Sequence, residues 1–189
     1  FALVIFLFAL LLYAPTLKHD LVWDDVGVIT YNPNIKSLGT AVKTFVSVAP
    51  AREFLRYDPS EKITTENWRP LRTVVHALIY RIWKANPAPY HALNVLLHAL
   101  VCVILFLLLT QITASAGAAF LAALLYAAHP VNTETVCWAK SAEDMMAAAF
   151  LLGGVIWWLR HKGNSPSRAV PPLNRPQGHS QSKAALYKG

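Results

Sequence analysis

The 189-residue sequence has little charge for its length. Lys, Arg, Asp and Glu make up 14% of it, whereas a typical soluble domain has about 25%. Hydrophobic residues make up 55%, and the mean hydropathy is +0.38. This composition excludes an ordinary soluble globular domain and predicts a membrane protein.

Cysteine and internal repeats are also scarce. The two cysteines are Cys102, in an apolar stretch, and Cys137, in a short polar stretch, which excludes a disulfide framework. The sequence has no 34-residue repeat. It also lacks an inverted repeat of the kind that marks many transporters, so a transporter is the less favoured interpretation.

The net charge of +7 is concentrated at one end of the chain. Six Lys and Arg and no Asp or Glu occur from Arg160 onwards, so the first 159 residues contain 11 basic and 10 acidic residues. Such an excess is typical of a cytoplasmic loop, and we predict no nucleic-acid partner. Residues 161–189, rich in Pro, Ser, Gly, Asn and Gln, are predicted to form a disordered basic tail.

Four apolar stretches predict membrane-spanning helices, and the fold class predicted from them is an all-α, polytopic helical bundle. The stretches cover about residues 1–17, 90–112, 116–130 and 140–159. The first opens on Phe1 inside an apolar run, which predicts a helix whose cytoplasmic start is missing. A signal-peptide core is the alternative. Arg160–Lys162 follows the fourth stretch at once, which predicts a cytoplasmic C-terminal tail.

This orientation places loops 18–89 and 129–140 on the extracytoplasmic face of a bacterial inner membrane or of the endoplasmic reticulum. Within the longer loop, Ser37–Val48 and Arg69–Lys84 have helical spacing. The second segment combines an apolar stripe with Arg and aromatic residues, which is typical of a helix lying in the bilayer interface. A soluble helix packed on its neighbours is the alternative.

Two polar residues interrupt the clearest span. Asn94 and His98 lie four residues apart, on one face of the predicted helix 90–112. Because buried polar groups in a bilayer need partners, we predict that both hydrogen-bond neighbouring helices and do not face lipid.

Acidic residues cluster near the two outer loops, together with two arginines: Asp24, Asp25, Glu134, Glu143 and Asp144, with Arg69 and Arg72. A carboxylate can accept a proton from a hydroxyl nucleophile, and an arginine can bind phosphate through two parallel hydrogen bonds. This combination suits the transfer of a group from a lipid phosphate to an acceptor outside the membrane.

Two structural interpretations of the same residues remain open. Asp24 and Asp25 also fit a helix cap or a turn, and Lys140 is spaced to form a local ion pair with Asp144.

Several motifs follow one another in a specific order: Val22-Trp23-Asp24-Asp25, Tyr31-Asn32-Pro33, Trp68-Arg69-Pro70-Leu71, the run from Tyr90 to His98, and His129-Pro130-Val131-Asn132-Thr133-Glu134. Together they resemble the N-terminal membrane region of the TMTC-like proteins, the transmembrane and tetratricopeptide-repeat O-mannosyltransferases of the GT-C class. The resemblance covers about residues 1–160. It implies a GT-C-like membrane region there, with interfacial helices in the outer loop.

The resemblance implies a catalytic role for Asp24 and Asp25. One would orient or deprotonate the acceptor hydroxyl, or help to hold a divalent metal in members that use one. It implies substrate-binding roles for five further residues: Arg69 at the lipid phosphate, and His129, Glu134, Glu143 and Asp144 around the same pocket. In place of the Gly-Arg-Ala-Glu/Asp stretch usual in the family, this chain has Lys140-Ser141-Ala142-Glu143-Asp144.

The implied function is a membrane glycosyltransferase. It would move a sugar, a hexose such as mannose, from a polyprenyl- or dolichyl-phosphate carrier to a hydroxyl of a protein or glycan acceptor on the extracytoplasmic side, with membrane lipid as a further partner. Family members have more spans and often tetratricopeptide repeats, which this sequence lacks. The alternative is therefore a truncated, non-catalytic paralogue that acts as a scaffold or binds lipid.

Overall fold

The structure, a computed structural model, describes residues 1–47, 53–55, 63–65 and 68–163. Most of the predicted basic tail, from residue 164 onwards, lies outside the described residues, as do three short parts of the predicted outer loop. The chain forms seven α-helices in its described ranges: α1 Ala2–Tyr13, α2 Leu38–Lys43, α3 Pro70–Trp83, α4 Pro87–Thr113, α5 Ala116–Ala128, α6 Asn132–Cys137 and α7 Ala142–Gly163.

The predicted helical class is confirmed, apart from one short pair of strands. Strands β1 Glu53–Leu55 and β2 Ile63–Thr65 pair antiparallel, with Phe54 opposite Thr64. Both lie in the predicted outer loop, where β-branched and aromatic residues favour extended backbone. A π-helix at Val26–Thr30 and short 3₁₀ turns connect the other elements of this loop.

Within the described ranges, two helices are long and apolar enough to cross a membrane, judged by length and composition. They are Pro87–Thr113 and the segment Ala139–Lys162, which contains α7. The other two predicted spans form shorter apolar helices, Ala2–Lys18 and Ala116–Ala128. All four predicted stretches are thus helical, but only two have the length of a full span.

Helices α1, α4 and α5 pack around a core of small residues. Ala119, Ala123 and Ala127 recur at helical spacing on α5 and are fully or almost fully buried, next to Ala99 and Cys102 of α4. Small side chains let helix backbones approach closely. The outer faces carry large apolar side chains that the rest of the bundle does not cover, including Leu11, Leu125 and Phe150.

The predicted contacts of Asn94 and His98 are confirmed. Both side chains are buried on α4. The Asn94 amide donates to the carbonyl oxygens of Trp138, at 2.6 Å, and Val136, at 3.4 Å. His98 Nε2 lies 3.3 Å from the carbonyl oxygen of Ala127, at the end of α5.

Helix α3 turns its polar side inward. Arg72, Thr73 and His76 are buried, whereas Leu78 and Ile82 of the apolar stripe are exposed. Val74 and Ile79 of the same stripe are partly buried and pack against the core. One part of the stripe is thus packed on its neighbours and another part is uncovered, so the interfacial helix stays a prediction.

Burial of His76 makes the stability of the fold depend on pH in the acidic range. Its ring is fully buried and lies edge-on to Tyr90, with 5.2 Å between ring centroids. Burial, and then the charge of Arg72, lower the pKa of His76 to about 3. Because the unfolded chain binds a proton near the ordinary pKa of 6.5 and the folded chain does not, this contribution to stability is complete above pH 6.5. It is lost as the pH falls towards 3.

We expect His76→Phe to flatten this acid dependence, since the variant has no group to protonate. Denaturant unfolding of the detergent-solubilised chain across that pH range measures the effect. His161→Phe, which changes an exposed histidine of α7, is the control and should keep the wild-type slope. An unchanged slope in His76→Phe would contradict the assignment.

Candidate functional site at the polar end of the bundle

The two predicted outer loops meet at one end of the bundle. The carboxylate of Asp25, in the first loop, accepts hydrogen bonds from the backbone N–H groups of Lys140, at 2.8 Å, and Ala139, at 3.2 Å. These residues are 114 and 115 positions further along the chain. The acidic motif after α1 is therefore held against the segment that leads into α7.

Asp25 is completely buried. Burial raises the pKa of its carboxyl group, and the N–H donors of Lys140 and Ala139 oppose that rise. Because each oxygen already accepts a backbone hydrogen bond, Asp25 has the geometry of a residue that holds structure in place. The sequence alone did not separate it from its neighbour Asp24.

Asp24 has the opposite surroundings. Its side chain is about one-third exposed, and its carboxylate forms an ion pair with Lys140 Nζ. The same ammonium lies 4.0 Å from the centre of the Trp138 ring, a favourable cation–π position. Lys140 pairs with Asp24 and not with Asp144, so the local ion pair considered from spacing does not form.

An arginine–glutamate network borders this pair. Glu143, at the start of α7, accepts hydrogen bonds from Arg69 and from Arg72, the latter at 3.1 Å. Arg72 Nη1 also lies 3.5 Å from the carbonyl oxygen of Lys140. Burial lowers the pKa of Arg72 to about 10, against the opposing fields of Asp144 and Asp25.

Two openings flank the network. A groove of about 710 Å³ is lined by Trp23, Trp138, Glu134 and Cys137, among others. A smaller cleft of about 260 Å³ lies beside Arg69 and Arg72 and continues along the apolar side chains of α7, as far as Phe150.

Trp23 directly precedes the acidic motif Asp24-Asp25 and lines the groove. Its φ of 52° lies in the left-handed region, which costs a non-glycine residue of order 1–3 kcal/mol; Lys84 and Ala114, at the ends of α3 and α4, share this conformation. Its side chain is also largely exposed. An exposed tryptophan on a strained turn is consistent with a binding role for the groove.

The remaining predicted site residues lie at different distances from this centre. Glu134 lines the groove, whereas Asp144 is exposed on α7 near Arg72. His129 is exposed, and its Nδ1 accepts the backbone N–H of Val131 at 3.1 Å; its substrate-binding role stays a prediction.

The described part of the chain contains no group of three or more His, Cys, Asp or Glu side chains that could hold a metal ion. The Asp25 carboxylate accepts hydrogen bonds from two backbone N–H groups, and the Asp24 carboxylate forms an ion pair with Lys140. In this arrangement the two carboxylates do not fit a cation site. We therefore derive no step through a metal.

Two residues of the site, Lys140 and Trp138, have no functional role predicted from the sequence. A local ion pair with Asp144 is the structural interpretation of Lys140 that the spacing leaves open. Lys140 pairs with Asp24, 116 positions away, and the Trp138 carbonyl accepts from Asn94, 44 positions away; periodicity within one element carries no signal for such pairs. The unusual placement of a cation and an aromatic ring just before an apolar helix is the one hint that the sequence offered.

The arrangement offers three chemical capabilities together. Asp24 can accept a proton, Lys140 and the arginines can stabilise an anion, and the aromatic groove can hold an acceptor. No group of this kind lies elsewhere among the described residues.

Comparison with known proteins identifies relatives that share the name protein O-mannosyl-transferase. The chain is 30% identical over 161 residues to the mouse protein O-mannosyl-transferase TMTC3, a match that covers 85% of this chain and 17% of the relative. It is 32% identical over 143 residues to mouse TMTC1, a match that covers 75% of this chain and 15% of the relative. It is 31% identical over 153 residues to human TMTC2, a match that covers 80% of this chain and 18% of the relative.

The chain thus spans between about one-seventh and one-fifth of the length of these curated relatives. No family model matches it, and no solved structure matches it. The resemblance inferred from the motifs is confirmed: the chain is TMTC-like, related over about four-fifths of its length to protein O-mannosyl-transferases.

Proposed function

We propose that this polypeptide forms the acceptor-activating part of a membrane glycosyltransferase of the GT-C class, which transfers a hexose, mannose by analogy with the names of its relatives, from a polyprenyl-phosphate carrier to a hydroxyl group. The observation that carries the proposal is the position of Asp24. It is a reachable carboxylate at the polar end of an apolar bundle, paired to Lys140 and bordered by Arg69 and Arg72.

In the proposed step, the acceptor oxygen attacks the anomeric carbon of the sugar. The bond between that carbon and the phosphate oxygen breaks, and the hydroxyl proton passes to the Asp24 carboxylate. The polyprenyl phosphate leaves as an anion, and the cationic side chains of Lys140 and Arg69 offset the charge that develops on it.

The two openings suit two different substrates. The cleft beside Arg69 continues along exposed apolar residues of α7, so a lipid phosphate can approach it from the bilayer and meet an arginine at its upper end. The groove beside Trp23 and Trp138 is lined by the segment that follows α1 and by the short helix α6, so a protein or glycan acceptor can approach it from water.

The proposed topology has four crossings, with loops 18–89 and 129–140 outside. Two helices of full length and two shorter apolar helices support it, as do the large apolar side chains exposed on α1, α5 and α7. Apolar surface of this extent is unusual for a soluble monomer. Both polar segments then lie on one side of the membrane, as their contact through Asp25 requires.

The direct test is a transfer assay with the purified chain in lipid nanodiscs. A radiolabelled polyprenyl-phosphate mannose and a Ser/Thr-containing peptide are the substrates, and we expect labelled peptide. Binding of the lipid with no labelled peptide would instead favour the alternative, a non-catalytic paralogue that binds lipid.

A further inference from the structure

The backbone between Val136 and Lys140 is held by buried side chains from three different elements. Asp25 accepts the N–H groups of Ala139 and Lys140, and Arg72 Nη1 lies 3.5 Å from the carbonyl oxygen of Lys140. Asn94 donates to the carbonyl oxygens of Trp138 and Val136. Five of the ten backbone N–H and C=O groups in this segment thus contact a side chain from elsewhere in the chain.

Asn94 is the support that comes from the apolar bundle. It is fully buried on α4, and its amide lies 2.6 Å from the Trp138 carbonyl oxygen and 3.4 Å from that of Val136. Those carbonyls lie at the end of α6, where helix geometry leaves the last C=O groups without intrahelical partners. The Trp138 carbonyl also accepts the N–H of Ser141, at 3.0 Å, so the Asn94 amide adds a second donor there and supplies a donor to the Val136 carbonyl.

The side chains on this fixed segment define the candidate site. The Trp138 ring lines the groove and lies under the Lys140 ammonium, which pairs with Asp24. A shift of the Trp138 carbonyl would therefore move the cation that Asp24 contacts. Side chains that lock such a segment set the precision of a site without touching a substrate.

We propose that Asn94 is a positioning residue of the candidate site: from within the bundle it fixes the Val136–Lys140 backbone and thereby sets the distance between Lys140 and Asp24. This role goes beyond hydrogen bonding between helices, because its consequence appears at the polar end of the molecule. It rests on the proposed function only where sugar transfer is the readout.

The chain contains its own pair of reporters for a test. Cys137 lies between the two residues whose carbonyls Asn94 holds and is partly exposed in the groove, whereas Cys102 is completely buried in the bundle core. Loosening of the segment should expose Cys137 alone, and general unfolding should expose both thiols. Because burial raises the pKa of the Cys137 thiol, alkylation is best followed at mildly alkaline pH.

The experiment compares the rate of N-ethylmaleimide modification at each cysteine by peptide mass spectrometry, in the full chain in nanodiscs. Asn94→Leu keeps the approximate volume and removes the donor, and we expect Cys137 to react about tenfold faster, with Cys102 unchanged. Asn94→Gln, which keeps the amide one methylene further out, should give a smaller increase. Thr110→Val is the control, because Thr110 bonds a carbonyl of its own helix, and it should change neither rate.

Two results would overturn the proposal. One is an unchanged Cys137 rate in Asn94→Leu. The other is an equal rise at both cysteines in Asn94→Leu and Asn94→Gln, which would show that Asn94 supports the whole bundle. This readout needs no enzymatic activity, so it stands even if the chain transfers no sugar. Where transfer is detected, Asn94→Leu should lower kcat and leave the KM for the donor unchanged, because no substrate contact is lost.

Discussion

Asp24→Asn is expected to reduce the turnover of sugar transfer by about 10²- to 10⁴-fold, the range usual for loss of a general base. The substitution keeps the size of the side chain and removes its ability to accept the hydroxyl proton. It also removes the anionic partner of Lys140. The donor should still bind, because the cleft beside Arg69 is untouched, so the loss should appear in kcat.

A charge-neutralising control separates this effect from a general change of the surface. Lys43→Gln removes an exposed charge in the same outer loop and should leave turnover within about twofold of the wild type, as is usual for a distant surface change. Asp24→Glu, which retains a carboxylate, should recover part of the activity. Wild-type turnover in Asp24→Asn would remove Asp24 from the mechanism.

Asp25→Ala is expected to act on stability, with a loss of about 2–4 kcal/mol in the free energy of unfolding. The two N–H groups of Ala139 and Lys140 would be left buried without an acceptor, at about 1–3 kcal/mol each. Burial disfavours the charged form of Asp25 and so raises its pKa. Removing the carboxylate eliminates that cost, which offsets part of the lost free energy of unfolding. Denaturant unfolding in mixed micelles, followed by near-ultraviolet circular dichroism, measures the difference.

The matched control is the neighbouring residue. Asp24→Ala breaks a partly exposed ion pair, which is worth at most about 1 kcal/mol, so it should unfold almost like the wild type. The two adjacent aspartates would then differ in kind, with Asp24 required for turnover and Asp25 for folding. Equal destabilisation by both changes would contradict the separation seen in the structure.

The helices could be predicted from the sequence because each depends on its own composition. Segment 90–112 became α4, Pro87–Thr113, and segment 116–130 became α5, Ala116–Ala128. Proline at the first turn of α4 and the caps at Asn86 and Ser115 set boundaries that hydropathy alone leaves open by a few residues. The strand pair was missed because the two segments are only three residues long and gain their stability from each other.

The site was only partly predictable. The acidic motif and Glu143 stand out in the sequence, because charge is rare beside apolar spans. The choice of Lys140 between Asp24 and Asp144 is made by packing, which brings residues 116 positions apart into contact. Which of two adjacent aspartates is buried depends likewise on a turn at Trp23 that no periodicity reveals.

The distance along the chain between Asp25 and its two donors also has a consequence for biosynthesis. Asp25 leaves the ribosome 115 residues before Lys140, which at about 5–20 residues per second is a delay of roughly 6–23 s. Until then the Asp25 carboxylate lacks these two donors, and α4, α5 and α6 are made first. Nascent chains halted before residue 139 should therefore expose this motif to proteases, and chains released after α7 should protect it.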